Sequence, residues 1–181
     1  MIYIMSTSTS NLKISCWVLA GLSNQVFLID FGLSQLFHNL ATRSHIVQTK
    51  GSSIIGTICY LLVNCHLGLT PSQHDDLESL VYVIVYLVKG VLPWQGITVH
   101  PGQIHKDEVL RVKQATGVRT LCKGLPKPFV KFVEHIRCLG FRENPDYKYL
   151  HSILEECAAP QTLPNSQTDA SLRCSWVVIR T

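Results

Sequence analysis

The sequence predicts a mainly helical fold with a few short strands, and three observations support that prediction. The longest apolar run, residues 80–88, follows helix-start residues and precedes helix-stop residues. Several later segments carry apolar residues at the three- and four-residue spacing of an amphipathic helix. A short β-branched and aromatic run, "VFLID" at 26–30, ends at an Asp-Phe-Gly turn and indicates a strand. The 181 residues are enough for one compact domain or one lobe of a larger one.

The central helix is predicted to begin at Thr70-Pro71-Ser72, because these residues and the acidic pair before the apolar run are typical of helix N-termini. Gly90 and then Pro93 predict its end. Residues 81–88 are rich in β-branched side chains, so their composition alone also allows a buried strand. The start and stop residues favour a helix that is apolar on all sides and therefore central to the core.

Three further helices are predicted from apolar spacing within residues 109–112, 129–140 and 150–157. Residues 38–56 are polar and interrupted by Ser and Gly, so they predict a long loop. The two ends of the chain lack any such pattern. They predict an unstructured start at residues 1–10, a domain at 11–157 and a disordered tail at 158–181.

Composition and charge exclude several classes of protein. The net charge of +4 comes from scattered Lys and Arg, which does not favour a nucleic-acid partner. The apolar run at 80–88 is far shorter than the roughly 20 residues of a membrane-spanning helix, and the start lacks signal-peptide features. Seven cysteines without a C-x-x-C pair favour reduced thiols. We therefore expect an intracellular protein of the cytoplasm, with the nucleus as the alternative, that binds neither nucleic acid nor membrane.

Four segments occur in an order that resembles the C-terminal lobe of protein kinases of the casein kinase I family. They are "LIDFGL" at 28–33, "GTICYLLVNCHLGL" at 56–69, "HDDLESLVYVIVYLVKGVLPWQG" at 74–96 and "LCKGLPKPFVKFVEHIRCLGFRENPDYKYL" at 121–150. The third segment is the most specific to the family, and the resemblance covers roughly residues 11–157. It implies a helical kinase C-terminal lobe with one or two short strand pairs near residues 17–29, and without the N-terminal lobe.

The resemblance implies roles for residues around the Asp-Phe-Gly motif. Asp30 matches the Asp that holds Mg²⁺ on the phosphates of ATP. Phe31 matches the Phe that packs under the regulatory spine of the family, and Gly32 matches the Gly that gives the backbone conformational freedom. ATP and Mg²⁺ are therefore the cofactors that the resemblance implies.

The resemblance also assigns positions in the segments that follow. Gly56 and Thr57 match the position where the activation segment contacts the catalytic loop. In the family, the hydroxyl of this Thr forms hydrogen bonds with the catalytic base and with the Lys of the catalytic loop. Asp76 matches the helix carboxylate that holds the catalytic loop. Asn64 and His66 match the substrate-facing segment of the family.

The catalytic loop of the kinase pattern aligns with residues 9–21, and two of its functional positions are changed. The family pattern has a general base, a Lys two residues later and a metal-binding Asn five residues after the base. Here Asn11 occupies the base position, Lys13 is retained and Cys16 occupies the metal-binding Asn position. A neutral Asn cannot accept the substrate proton, and a sulfur ligand suits Mg²⁺ poorly.

Three functions remain open at this point. The first is a truncated, catalytically impaired casein-kinase-I-like domain, a pseudokinase or fragment that acts by binding proteins. The alternative is part of an active serine/threonine kinase, transferring phosphate from ATP to protein substrates, whose N-terminal half is missing from this chain. The third is a decayed copy with no selected function, for which we expect exposed apolar area.

Two other chemistries are compatible with the residue types but are disfavoured. His66 and His74 with Asp75 and Asp76 could supply metal ligands, but their spacing is not that of a metal motif. The helix-start role explains the two acids more simply. A cysteine nucleophile is the second option, and no pattern pairs a cysteine with a histidine.

Overall fold

The fold was examined in a computed structural model, which describes residues 14–15, 27–28, 36–51, 57–98 and 104–159. Two short strands and six helices are found in these ranges. The strands β1 (Ile14–Ser15) and β2 (Phe27–Leu28) pair antiparallel, with Ile14 opposite Leu28. The helices are α1 (Val63–His66), α2 (Gln73–Lys89), α3 (His105–Ala115), α4 (Val118–Leu121), α5 (Lys127–Cys138) and α6 (Tyr147–Ala158). This confirms the predicted mainly helical class.

The strand pair lies close to the predicted position, with one difference. β2 falls inside the predicted run 26–30, whereas β1 lies just before the expected window of residues 17–29. The predicted unstructured start, the Asp-Phe-Gly turn and almost all of the predicted tail lie outside the described residues. The domain boundaries at residues 11 and 157 therefore stay predictions.

α2 begins and ends at the residues that the sequence indicated. The backbone N–H of Ser72 donates to the carboxylate of Asp75 over 2.8 Å, which satisfies a donor at the helix start. Gly90 ends the helix with φ 73°, a left-handed conformation that Gly adopts without steric cost, and its N–H donates to Tyr86 O. The whole segment is helical, so the alternative of a buried strand is excluded.

The prediction that α2 is apolar and covered on all sides is wrong on one side. Val81, Tyr82 and Val85 are fully buried, but Leu87 is 48% exposed. Val91, just beyond the helix, is 53% exposed. Apolar composition indicates which side chains are unfavourable in water, but it does not indicate which faces of the helix are covered by other elements.

α5 and α6 pack against each other and belong to the same buried cluster as α2. The rings of Phe129 and Phe132 are stacked with centroids 5.5 Å apart, and both side chains are buried. Leu150 and Ile153 of α6 are buried in the same cluster. The carboxylate of Asp146 accepts from Tyr149 N at the start of α6. Helices are confirmed at all three predicted positions, although α3 extends on both sides of the predicted residues 109–112 and buries only Val109 of its three predicted apolar residues. The one-turn helices α1 and α4 were not predicted, because four residues carry no periodic signal.

The structure describes residues 38–51 of the loop that was predicted at 38–56, and two short backbone bridges shape this part. His38 pairs with His45, and Lys50 pairs with Leu69 ahead of α2. The ring of His45 lies 4.8 Å from the ring of Phe141, which joins the loop to the segment between α5 and α6. The described part of the loop thus contacts the rest of the structure through His45 and Lys50.

Candidate functional site

The predicted site positions divide into those that the structure describes and those that it does not. Thr57 and Asp76 are described, together with Asn64 and His66. The other predicted positions lie outside the described residues: Asn11, Lys13, Cys16, Asp30, Phe31, Gly32 and Gly56. Their proposed roles in binding ATP and Mg²⁺ stay predictions.

Thr57 begins a turn that leads into the core. Its carbonyl oxygen accepts from Tyr60 N over 3.0 Å and from Leu61 N over 3.1 Å. Leu61 and the following Leu62 are fully buried, so the turn carries the chain from a half-buried position into the interior. We call residues 57–66 the anchored segment, because side chains from other elements bond its backbone.

The carbonyl oxygens of four consecutive residues in the anchored segment accept hydrogen bonds from side chains. Trp94 Nε1 donates to Cys59 O over 2.6 Å, and Ser79 Oγ donates to Tyr60 O over 3.1 Å. Lys113 Nζ donates to Ile58 O over 2.8 Å and also to Leu61 O. Since these carbonyls do not belong to a helix or strand ladder, the donors replace secondary structure in satisfying them.

Lys113 lies on α3 with its amino group in the core, where it is only 1% exposed. Besides the two carbonyl oxygens, His66 Nε2 lies 3.4 Å from Nζ. The ring centroids of Tyr82 and Trp94 lie 5.2 and 5.0 Å from Nζ, within the range of a cation–π interaction. Three polar neighbours and two ring faces therefore surround a single amino group.

Burial lowers the pKa values of both Lys113 and His66. It lowers the pKa of Lys113 to about 7. The nearby Cys59, Glu78 and Cys65 shift this pKa in the opposite direction, by less than burial lowers it. Burial, followed by the positive charges of Lys113 and Lys106, lowers the pKa of His66 to about 4. His66 is therefore neutral at neutral pH and faces the interior, although the resemblance had placed it on the substrate-facing segment.

Tyr82 connects Lys113 to a polar network that includes Glu78 and Arg137. Its hydroxyl donates to Glu78 Oε1 over 2.6 Å, and Arg137 Nε of α5 lies 3.7 Å from the same oxygen. Arg137 also donates to Thr116 O at the end of α3. Burial, then the negative charge of Glu78, raises the pKa of Tyr82. The network joins α2, α3 and α5 at one point.

A second polar cluster lies at the start of α2. Asp75 is fully buried, and its Oδ1 accepts from Asn64 Nδ2 over 3.1 Å while Oδ2 accepts from Ser72 N. His74 Nε2 lies 3.4 Å from Asp75 Oδ1, and His74 Nδ1 lies 2.9 Å from Ser72 Oγ. Burial raises the pKa of Asp75, and the His74, Ser72 and Asn64 contacts oppose that shift.

The bonds among Ser72, His74 and Asp75 have the connectivity of a hydrolase triad, but the geometry favours a helix cap. All three residues lie within one turn at the start of α2, and Ser72 is only 6% exposed. A nucleophile has to reach a substrate carbonyl, and a buried hydroxyl cannot do so. The cluster therefore stabilises the helix start and ties Asn64 of the anchored segment to α2.

Asp76 follows in the first turn of α2 and is half-buried. After burial, its negative charge raises the pKa of Tyr147 at the start of α6. Together with Asp75, it also raises the pKa of Cys65, for which burial is again the larger cause. Its predicted contact with the catalytic loop involves residues outside the described ranges.

Sequence reasoning missed Lys113, although one signal was present. Val109 is buried, and Lys113 lies four residues later, so both belong to the same face of α3. A lysine on the buried face of an amphipathic helix is unusual enough to indicate a specific partner. The partners themselves lie 47 to 55 residues away in the chain and leave no local pattern.

The described residues give no support to a membrane or metal site. None of their helices is long and apolar enough to cross a bilayer. No group of three or more His, Cys, Asp or Glu side chains among them could hold a metal ion.

Comparison with curated proteins identifies relatives of this chain. No protein-family model matches the chain. Among curated proteins, 78 match it significantly. One of them is Casein kinase I homolog 2 of Schizosaccharomyces pombe, with 36% identity over 134 residues. The matched region covers 74% of this chain but 31% of the relative, so the chain spans about a third of that protein.

Proposed function

Because the chain belongs to the casein kinase I family, we propose that it is a catalytically impaired part of a kinase domain that acts by binding proteins. The observation that carries the proposal is Asn11 at the position of the catalytic base. A general base contributes roughly 10²- to 10⁴-fold to the rate, and a neutral amide cannot take its place.

The second ligand position for Mg²⁺ supports the same proposal. Mg²⁺ prefers oxygen ligands in octahedral geometry, and Cys16 offers sulfur where the family pattern has an amide oxygen. Asp30 alone would then hold the metal that neutralises the phosphates of ATP when it is bound. We expect this chain to bind ATP and Mg²⁺ weakly or not at all.

A folded body suitable for protein binding supports the second half of the proposal. Trp94 and Ser79 donate to backbone carbonyls of the anchored segment, and Asn64 of that segment donates to Asp75 at the start of α2. Such a body keeps a kinase-like surface in place without catalysis. We expect a protein partner in the cytoplasm, with the nucleus as the alternative, and we do not expect nucleic acid because the basic residues are scattered.

An alternative is supported by the residues that are retained. Asp30, Phe31, Gly32 and Lys13 match the kinase pattern, and the relative extends well beyond the matched region. In this alternative the chain is one portion of an active serine/threonine kinase, and the remaining portion supplies the clamp for the ATP phosphates.

The deciding experiment measures ATP binding and casein phosphorylation by the purified chain with Mg²⁺. We expect no Mg²⁺-dependent heat of ATP binding and no phosphorylation above the level of Asp30→Ala. Phosphorylation that Asp30→Ala abolishes would overturn the proposal. The double variant N11D/C16N is the matched control, because it restores both changed positions without altering the length of the chain.

The alternative is tested by adding the missing portion. The upstream part of the Schizosaccharomyces pombe relative's kinase region is fused ahead of residue 11 and assayed on casein. Activity of the fusion that disappears in Asp30→Ala supports the alternative. Activity that appears only with N11D/C16N shows that the changed positions, and not the length of the chain, prevent catalysis.

The possibility of a decayed copy is tested through the fold itself. A functional binding domain is expected to be monomeric and to unfold cooperatively, as small single domains usually do. Broad, non-cooperative unfolding together with aggregation would favour the decayed copy, and calorimetry with light scattering distinguishes the two outcomes.

A further inference from the structure

We propose that Lys113 is a positioning residue whose amino group holds the anchored segment, residues 57–66, against α2 and α3. The inference does not depend on whether the chain transfers phosphate. It rests on the two carbonyl oxygens that Lys113 bonds and on the burial of its amino group.

Lys113 provides two of the four side-chain bonds to consecutive carbonyls of the anchored segment. Ile58 O and Leu61 O are three residues apart, and a single amino group bonds both of them. Trp94 and Ser79 each provide one bond, to Cys59 O and Tyr60 O. Without Lys113, two buried carbonyls would lose these donors, and leaving a buried polar group unpaired costs about 1–3 kcal/mol each.

The surroundings accommodate both protonation states of Lys113. A protonated amino group has three N–H donors, which match Ile58 O, Leu61 O and His66 Nε2. A neutral amine keeps two donors for the carbonyls, and its lone pair can accept from His66 if Nε2 carries the proton. The two carbonyl bonds therefore persist when the proton is lost.

The charged groups near the amino group explain why its protonation affects the segment. Glu78 of α2 acts on it through space but is bonded to Tyr82, while Cys59 and Cys65 of the anchored segment are thiols. No carboxylate among the described residues forms an ion pair with Lys113. Opening of the segment returns the amino group to water, which favours its charged form.

This linkage fixes the direction of a pH effect on the anchored segment. Burial lowers the pKa of Lys113 to about 7, so the closed segment binds the proton more weakly than the open one. Between about pH 7 and the usual lysine range, the open state therefore holds more protons. Raising the pH across that window favours closure, and lowering it favours opening.

The test is hydrogen exchange of the backbone amides of residues 57–66, corrected for the intrinsic exchange rate. In the wild-type chain we expect protection to rise about 10-fold between pH 7 and about pH 8.5. Lys113→Met keeps the apolar stem and removes the donors. It should lower protection of the segment by about 10-fold or more at pH 8.5 and remove the rise with pH.

The matched control is Lys131→Met on α5, where the lysine is exposed. It should leave both the protection and its pH dependence unchanged. Wild-type protection that does not change with pH would overturn the proposal. Equal protection of the segment in Lys113→Met and wild type would overturn it as well.

A chemical rescue separates the role of the amino group from that of the stem. Lys113→Ala removes the atoms that n-propylammonium supplies, while n-propanol supplies a similar chain with a hydroxyl and no charge. Restored protection of residues 57–66, or restored folding, by n-propylammonium and not by n-propanol supports the proposal. Equal rescue by the two compounds would show that Lys113 acts only by filling space.

Discussion

Two regions of the molecule are stabilised in different ways. In the α5–α6 region, Phe129, Phe132 and Ile153 are buried among apolar side chains. In the anchored segment, hydrogen bonds from distant side chains satisfy the backbone, and an amino group lies in the core. Apolar packing tolerates changes in pH, whereas buried titratable groups do not. The two regions should therefore respond differently to mutation and to pH.

The largest effect is expected from removing an aromatic ring in the α5–α6 region. Phe132→Ala deletes a buried ring that stacks on Phe129, and we expect a loss of about 3–5 kcal/mol in the free energy of unfolding. Urea denaturation followed by circular dichroism measures it. The neighbouring exposed Lys131→Ala should change stability by less than about 0.5 kcal/mol. A similar, small loss in both variants would contradict the packing of α5 on α6.

The α5–α6 region also shows how much of the fold the sequence could predict. The spacing of Phe129, Phe132, Val133 and Ile136 predicted a buried helix face, and all four side chains are buried. Apolar periodicity is a local signal, since one helix face repeats every three or four residues. The helix class was predictable for the same reason. The start of α2 after Thr70-Pro71-Ser72 and its end at Gly90 were predictable from a second local signal, the residues that begin and end helices.

The anchored segment was far less predictable. Asn64 could be assigned a place only by resemblance, and its bond to Asp75 depends on α1 lying next to the start of α2 in the fold. Lys113 was overlooked because a charged residue is normally expected at the surface. Contacts between residues far apart in the chain leave no periodic pattern, so this part of the candidate site required the structure. Positions 11, 16 and 30 are still known from sequence alone.

The second prediction uses pH to separate the two regions. Burial lowers the pKa of His66 to about 4 and that of Lys113 to about 7. The unfolded chain protonates His66 near pH 6.5 and keeps the proton on Lys113 up to about pH 10.5. At these two residues the unfolded chain therefore holds more protons than the folded chain, from about pH 4 to 6.5 and again above pH 7. The raised pKa of Asp75 acts in the opposite direction at acid pH. Stability should fall as the pH drops through the first window and rise with pH in the second.

The expected difference in unfolding free energy between about pH 5 and pH 8.5 is about 1–3 kcal/mol. Above pH 9 the trend reverses, because burial raises the pKa of Cys122 and of Cys157 to about 11 while unfolded thiols ionise near pH 9. Urea denaturation across this range measures the curve. Lys113→Met should flatten the part above pH 7, and greater stability at pH 5 than at pH 8.5 would contradict the assignment.

The third prediction concerns the cluster at the start of α2. Asp75→Asn replaces one carboxylate oxygen by an NH₂ group, so one of the two donors, Ser72 N or Asn64 Nδ2, would face another donor. We expect a loss of about 1–2 kcal/mol. Asp107→Asn, an exposed residue in the first turn of α3, is the control and should cost less than about 0.5 kcal/mol. Equal losses of unfolding free energy in the two variants would show that Asp75 acts only through its charge at the helix start, as Asp107 does.

The smallest predicted effect tests the hydrogen bonds of the anchored segment one at a time. Ser79→Ala removes the buried hydroxyl that donates to Tyr60 O, and we expect a loss of about 1 kcal/mol because the carbonyl stays buried. Ser152→Ala on α6 removes a hydroxyl that donates to Tyr149 O at an exposed position, where water replaces the donor. Its cost should be close to zero.

Denaturation curves of the two variants, measured side by side, give the difference. A loss in Ser79→Ala no larger than in Ser152→Ala would mean that Tyr60 O does not depend on its side-chain donor. The contrast with the apolar α5–α6 region would then have to rest on Lys113 and Trp94.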